Sequence, residues 1–255
     1  RYKKPKVVLL ENVKGLVSKL HKKSFDGFIS TLNDLGYDVS WKLINPLDYG
    51  LAQKRERVFL VCFRKDLGIT FEFPKPTHDP KTIRDVIGDL PEPEDTHDVK
   101  NHYGYGIRND EAPFINKIKA GENWKVLPEE DQKAFMGKGF YNKNGGRSGF
   151  LRKMRFDSYA LTITSSMNGK MNAQILDMRD KYNDDSQTKC RRFTVRECLR
   201  LQSVPDWFYF EDKISISNQY TRCSGIPSYI AELLGNEIKK YLSGEKKSMK
   251  LQELF

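Results

Sequence analysis

Apolar positions divide the chain into stretches with different periods. Val7-Val8-Leu9-Leu10 is a continuous apolar run, the pattern of a strand covered on both faces. Phe25, Phe28, Ile29, Leu32 and Leu35 recur at helical spacing, and Gly36 follows as a stop signal. Val39, Trp41 and Leu43 alternate as a strand, and Val58 to Phe63 forms another apolar run. Strand, helix, strand, strand is the ending of an α/β sheet. The pattern then breaks. Pro74, Pro76, Pro80, Pro91 and Pro93 interrupt it, residues 89–98 are acidic and turn-rich, and Asn142 to Gly149 is a glycine-rich loop. Order returns near Arg191. Thr194-Val195-Arg196-Glu197 is a capping box, with the threonine hydroxyl on the Glu197 amide and the glutamate reaching back. Cys198, Leu201 and Gln202 continue a short helix, and Pro205 lies beyond it. After Pro227 a last helix carries Ile230, Leu233, Leu234, Ile238 and Tyr241 on one face.

Composition changes the picture in one respect. Hydrophobic residues make up 38% of the 255, enough for a packed core, and no apolar run approaches membrane-span length. The formal net charge is +10, which favours polyanionic partners because each phosphate contact releases counterions. The densest one-sign stretch holds Lys138, Lys143, Arg147, Arg152, Lys153, Arg155 and Lys170 against Asp157 alone. Interleaved glycines, aromatics and hydroxyls suit close approach to a sugar-phosphate backbone. A solvated basic face fits the same pattern. The four cysteines form no Cys-x-x-Cys pair and no disulfide framework, so a reducing, intracellular (cytoplasmic) compartment is expected. No histidine pairs with them at zinc-site spacing, so no metal is expected. His97 and His102 read as loop residues. The acidic cluster Asp177, Asp180, Asp184 and Asp185 reads as a solvated loop.

Three local patterns line up in order. Glu11-Asn12-Val13 directly follows the first apolar run. Gln53-Lys54-Arg55-Glu56-Arg57 enters the run Val58–Phe63. Arg192-Phe193-Thr194-Val195-Arg196-Glu197-Cys198 precedes Leu201-Gln202 and Pro205. Together, with a long variable block between the second and third, they resemble the cytosine-C5 DNA methyltransferases, from the Glu-Asn-Val motif onward. The resemblance spans nearly the whole chain. It implies part of an α/β, Rossmann-like methyltransferase sheet plus a smaller, irregular, β-rich target-recognition domain. The rear of the catalytic domain would cover residues 1–75 and the recognition domain 76–217. A C-terminal helix region, 218–255, would return to the catalytic domain.

The family's chemistry explains the residue types. A cysteine thiolate attacks C6 of cytosine, and C5 then takes the methyl group of S-adenosylmethionine. Attack puts negative charge on the ring, so a group must donate to N3. By resemblance that group is Glu11, which then needs a desolvated pocket and a raised pKa. The residue type alone also fits a capping or ion-paired glutamate. Arg57, the second arginine of Gln-x-Arg-x-Arg, is the matching donor to cytosine O2. Arg55 is the less direct catalytic candidate, suited to structure or phosphate. Both arginines fit ion pairs with Glu56 and nearby carboxylates as well. The target base must leave the duplex to be reached. Gln53, Arg147, Arg152, Lys153, Arg155, Lys170 and Arg192 are the candidate contacts to double-stranded DNA, with the hydroxyls of Thr162, Thr164 and Ser165. Leu161 to Ser166 sits where the family has a Thr-Leu-Thr-like turn, with Ala160 in place of the leading threonine. A plain threonine-rich strand fits it too.

Two departures from the family pattern matter. Its last motif, Gly-Asn-x-Val-Pro-like, touches the cofactor, and Cys223-Ser224-Gly225-Ile226-Pro227 holds that place, so Ser224 and Gly225 are the cofactor candidates. Gly235-Asn236 has the dipeptide but falls inside the last helical pattern. The family's Pro-Cys-Gln nucleophile motif and glycine-containing cofactor loop are absent, and no cysteine here follows a proline. The expectation is a methyltransferase whose nucleophile comes from an N-terminal half or a partner subunit, with this chain inactive alone. The alternative is a non-catalytic DNA-binding module derived from such an enzyme. A different α/β nuclease-like enzyme lacks a paired-carboxylate metal motif.

Overall fold

A computed structural model describes residues 3–76, 78–96, 98–137, 141, 149–167, 169–170, 174–186 and 189–246. In chain order its elements begin with β1 (Val7–Val13), α1 (Lys22–Asp34), β2 (Tyr37–Ile44), β3 (Gln53–Lys54) and β4 (Arg57–Arg64). Then come α2 (Ile83–Ile87), α3 (Ala112–Ile115), α4 (Glu129–Met136), β5 (Arg152–Met154), β6 (Ala160–Leu161) and β7 (Gln174–Asp177). The series closes with α5 (Met178–Tyr182), β8 (Cys190–Arg192), α6 (Val195–Leu201), α7 (Ile216–Cys223) and α8 (Ser228–Ser243). Among the described residues no helix is long and apolar enough to cross a membrane.

The chain divides into two compact units. The first takes residues 1–49, 55–79 and 229–255, and the second takes 50–54 and 80–228. The resemblance implies a return to the catalytic domain from residue 218. Instead α7 stays with the second unit, because Tyr220 and Cys223 sit in that unit's core. Residues 50–54 also join the second unit, where β3 pairs in parallel with β6.

In the first unit an antiparallel sheet runs in the order β1-β4-β2. Strand β4 is central, and Val58 to Phe63 are each no more than 2% exposed. Its residues alternate between two layers. Val58, Leu60 and Cys62 pack with Phe25 of α1, while Val61 and Phe63 pack with Ile238 and Tyr241 of α8. Coverage on both faces explains the unbroken apolar run. The same reading fails for β1. Among the described residues β1 pairs only with β4, and Leu9 and Val13 are 42% and 54% exposed.

The second unit takes the larger share of the chain and is irregular. Its strands are short, and helix exceeds strand among its described residues. Helix α6 is its axis. The expected capping box is present, with Thr194 Oγ1 accepting from the Glu197 amide at 3.2 Å and Glu197 accepting from the Thr194 amide at 2.7 Å. Val195, Cys198, Leu199 and Leu201 pack against Ile83, Phe156 and Tyr220. Gly104 lies so close to Tyr220 that an added Cβ would meet its hydroxyl at 2.3 Å, which restricts that position to glycine.

Buried ion pairs tie this unit together. Arg191 reaches Glu197 and Glu92, each at 2.8 Å, and Lys181 reaches Glu92 at 2.7 Å. Lys153 meets Asp177 at 2.8 Å. Asp177 is thus buried and paired, and the solvated-loop reading of its acidic cluster does not hold for it. Glu92 likewise turns inward from the acidic stretch 89–98. His102 is in a loop but buried, with its ring nitrogens 3.0 Å from Thr194 Oγ1 and 2.7 Å from the Pro91 carbonyl.

These pairs make an acid-stability prediction. Burial alone would raise the Glu92 carboxyl, but Arg191 and Lys181 outweigh it and hold the group at about 2, below its ordinary 4.5. A depressed carboxylate contributes stability above its unfolded pKa and loses it as pH falls through the folded one. The contribution is therefore complete above about pH 4.5 and fades toward pH 2. Asp177, also about 2 against burial through Arg179 and Lys153, acts in the same window. Glu92→Gln should lower the melting temperature at neutral pH and flatten the acid limb. An unchanged acid limb would show that Glu92 is not coupled to folding.

Candidate active site and nucleic-acid surface

The antiparallel register of β1 and β4 sets Glu11 opposite Phe59 and Val13 opposite Arg57. Glu11 and Arg57 are therefore diagonal neighbours on one face, within reach of long side chains. Arg57 Nε lies 3.0 Å from Glu11 Oε1, with side chains 19% and 28% exposed. A second Arg57 nitrogen donates to the Glu56 carbonyl at 2.8 Å. Glu56 itself pairs with Lys14 at 2.9 Å, so the carboxylate that engages Arg57 belongs to the other catalytic candidate.

Arg55 is buried just before β4, and its amide donates to the Asn45 side chain at 3.3 Å. Burial lowers its guanidinium to about 10, Arg57 adds to that, and Glu11 opposes it. A cation partly stripped of water beside this pair makes the site positive. Such a site favours negative charge developing on a bound ring. Glu11, Arg55 and Arg57 thus form one cluster within the first unit.

Gln53 belongs to the second unit and is fully buried. It donates to the Leu201 carbonyl at 3.1 Å and to Gln202 at 3.3 Å, and accepts from the Ile163 amide at 3.2 Å. It braces that unit from the interior, whereas the surface contact expected of it needs exposure, a correction to its expected placement. Lys153 and Arg192 need the same correction. Lys153 is 0% exposed and held by Asp177; Arg192 has no exposed side-chain surface and grips Glu111 at 2.5 Å. A cation enclosed in such a pair has no path to a phosphate. The Thr164 hydroxyl is buried without a hydrogen-bond partner among the described residues, so it too is turned away from solvent.

The other surface candidates divide. Arg155 is exposed. Arg152 is half-buried, with a guanidinium lowered by burial and partly restored by Tyr159. Thr162 donates to the Lys54 carbonyl at 3.1 Å, within the second unit. Ser165 is exposed and lines a polar cavity described below. Lys170 pairs with Asp110 at 3.3 Å, donates to the Phe135 carbonyl and sits 4.1 Å over the Phe135 ring, so it is tethered. Arg147, Lys138, Lys143 and His97 lie outside the described residues.

The cofactor candidates are engaged locally. Ser224 Oγ donates to the Thr221 carbonyl at 2.6 Å, and the Gly225 carbonyl accepts from Gln202 at 3.1 Å. These two residues do not amount to a cofactor pocket. None of the cysteines is set up as a nucleophile. Burial pushes the Cys62 thiol up to about 11 and the Cys223 thiol up to about 12. It also raises Cys198 and Cys190. Reactive thiols need the opposite shift.

Residues 1–240 match the family model for C-5 cytosine-specific DNA methylases. The chain belongs to that family. It is 35% identical over 251 residues to the Type II methyltransferase M.MthTI of Methanothermobacter thermautotrophicus, covering 95% of this chain and 68% of that protein. It is 30% identical over 245 residues to the Type II methyltransferase M.Sau96I of Staphylococcus aureus, covering 94% of this chain and 52% of that protein. The chain thus spans from half to two thirds of the length of these relatives. The fold is shared with the S. pombe Dnmt2 methyltransferase, with a TM-score of 0.59 at 17% identity over 94% of this chain and 68% of that one.

The arginine-rich segment before α6 had an undetected role. Arg191 and Arg192 anchor the second unit's interior through Glu92, Glu197 and Glu111. The capping box hinted at one of these partners, Glu197. Nothing local pointed to Glu92 or Glu111.

Proposed function

We propose that this chain is the rear part of a DNA (cytosine-5-)-methyltransferase, the part that polarises a flipped cytosine and holds the duplex. The observation that supports this best is the meeting of Glu11 and Arg57, from two separate motifs, at 3.0 Å beside buried Arg55. On entry of the base, Arg57 turns from Glu11 to cytosine O2. Glu11 then shares a proton with N3. Arg55 keeps its positive charge behind both. As a nucleophile adds to C6, the charge on the ring grows and these contacts strengthen, which lowers the barrier.

S-adenosylmethionine supplies the methyl group in this reaction, and Ser224 and Gly225 offer it an edge contact at most. The nucleophile comes from polypeptide outside this sequence, in a longer chain or a partner subunit, because the four cysteines here are unsuited. The second unit carries the double-stranded DNA surface, with Arg155, Arg152, Thr162 and Ser165 as its retained candidates.

The test is covalent trapping. Combined with a front segment carrying the nucleophile, the chain should trap duplex DNA containing 5-fluorocytosine when cofactor is present, and alone it should not. A combination that neither traps nor methylates ends the enzyme reading. Methylation by this chain alone would overturn the assignment of the nucleophile elsewhere.

A further inference from the structure

The second unit carries an open cavity of about 290 Å³ lined in part by Arg108, Ser165, Ser166, Ser217 and Tyr105. Arg108 was not among the sequence candidates. Its Nε donates to Asp110 at 2.9 Å, and its two Nη groups have no partner among the described residues. Asp110 is held from the other side by Lys170 at 3.3 Å. The Arg108 amide donates to Glu111 at 3.3 Å, and Glu111 is locked by fully buried Arg192. The backbone and the Nε edge are both tethered, and the Nη end of this 40% exposed side chain has no partner among the described residues.

We propose that Arg108 reads a guanine of the recognition sequence, its two Nη groups donating to O6 and N7 in the major groove. The inference rests on the DNA-methyltransferase reading above. A guanidinium fork matches this acceptor pair, which no other base presents there. A backbone phosphate offers a similar pair of oxygens, but two features disfavour it. The Asp110 carboxylate beside Nε repels a charged phosphate more strongly than a neutral base edge. Lys170 is engaged by Asp110, the Phe135 carbonyl and the Phe135 ring, so it adds little attraction. Base reading also demands fixed geometry, which the Glu111–Arg192 anchor supplies. The Ser165 and Ser217 hydroxyls can each donate or accept, and so can meet neighbouring base edges.

The experiment is selection of random duplexes by the 255-residue chain, followed by affinity measurements on the enriched sequence. Arg108→Ala should abolish the preference for guanine at one position and leave the others intact. Discrimination at that position should fall by about 5- to 150-fold, the range of one bidentate base contact. Replacing that guanine with 7-deazaguanine should weaken the native chain and leave Arg108→Ala unaffected. Arg108→Lys should recover only part of the preference, and an unchanged melting temperature in both variants excludes misfolding. An unaltered motif with uniformly weaker binding and a shallower salt dependence would make Arg108 a phosphate contact and overturn the proposal. Unchanged binding would remove the cavity from the interface. If the native chain enriches no sequence, sequence reading by this unit fails first, and the guanine assignment with it.

Discussion

Glu11→Gln in the complete enzyme should slow methyl transfer by about 10²- to 10⁴-fold, the range for loss of one acid–base group, with a far smaller change in DNA affinity. Glutamine keeps the shape and can still donate a hydrogen bond to N3. It cannot share a proton with the ring nitrogen as charge builds. The loss therefore appears in the transition state more than in the ground state. The measurement is single-turnover methyl transfer beside equilibrium DNA binding. Arg57→Lys is the companion variant, since an ammonium keeps the charge but not the Nε geometry seen 3.0 Å from Glu11. Equal losses in rate and affinity for Glu11→Gln would mark Glu11 as a structural ion-pair partner of Arg57.

The elements that sequence made legible are those whose cause is local. The capping box at Thr194 and Glu197 depends on residues three apart, and the structure contains it. The strands β2 and β4 and the helix α1 are equally local. Glu11 and Arg57 were named from motifs. Their meeting required the β1–β4 register, which no single stretch encodes.

What stayed hidden depends on partners far along the chain. Basic residues in a basic stretch look alike until their neighbours are known. Lys153 and Arg155 are two residues apart, yet one is sealed against Asp177 and the other faces solvent. Gln53 reads as a surface polar residue. Its three hydrogen bonds go to residues 163, 201 and 202, and they bury it. The run Val7–Leu10 has the composition of a doubly covered strand, but composition does not count a strand's neighbours. Arg108 sits in an unremarkable stretch. Only the fold brings Asp110, Lys170 and the serines around it.

The Glu111–Arg192 pair carries the largest expected effect on stability. Both side chains have no exposed surface, and Arg192 contacts the two carboxylate oxygens at 2.7 and 2.5 Å. Another of its nitrogens donates to the Met167 carbonyl at 3.3 Å, while Nε is buried without a hydrogen bond among the described residues. Removing one partner leaves an uncompensated charge in a dry interior. Arg192→Met or Glu111→Leu alone should therefore destabilise the protein by about 3–5 kcal/mol, read from urea unfolding midpoints. The double variant should regain most of that loss, because two apolar groups leave no charge to desolvate. It should still disturb DNA reading. Glu111 holds the Arg108 amide, and Arg192 holds the Met167 carbonyl, close in sequence to Ser165 and Ser166. A stable double variant that selects the native DNA sequence would show the pair to be dispensable for recognition. Additive losses in the double variant would show that the two charges do not act as a pair.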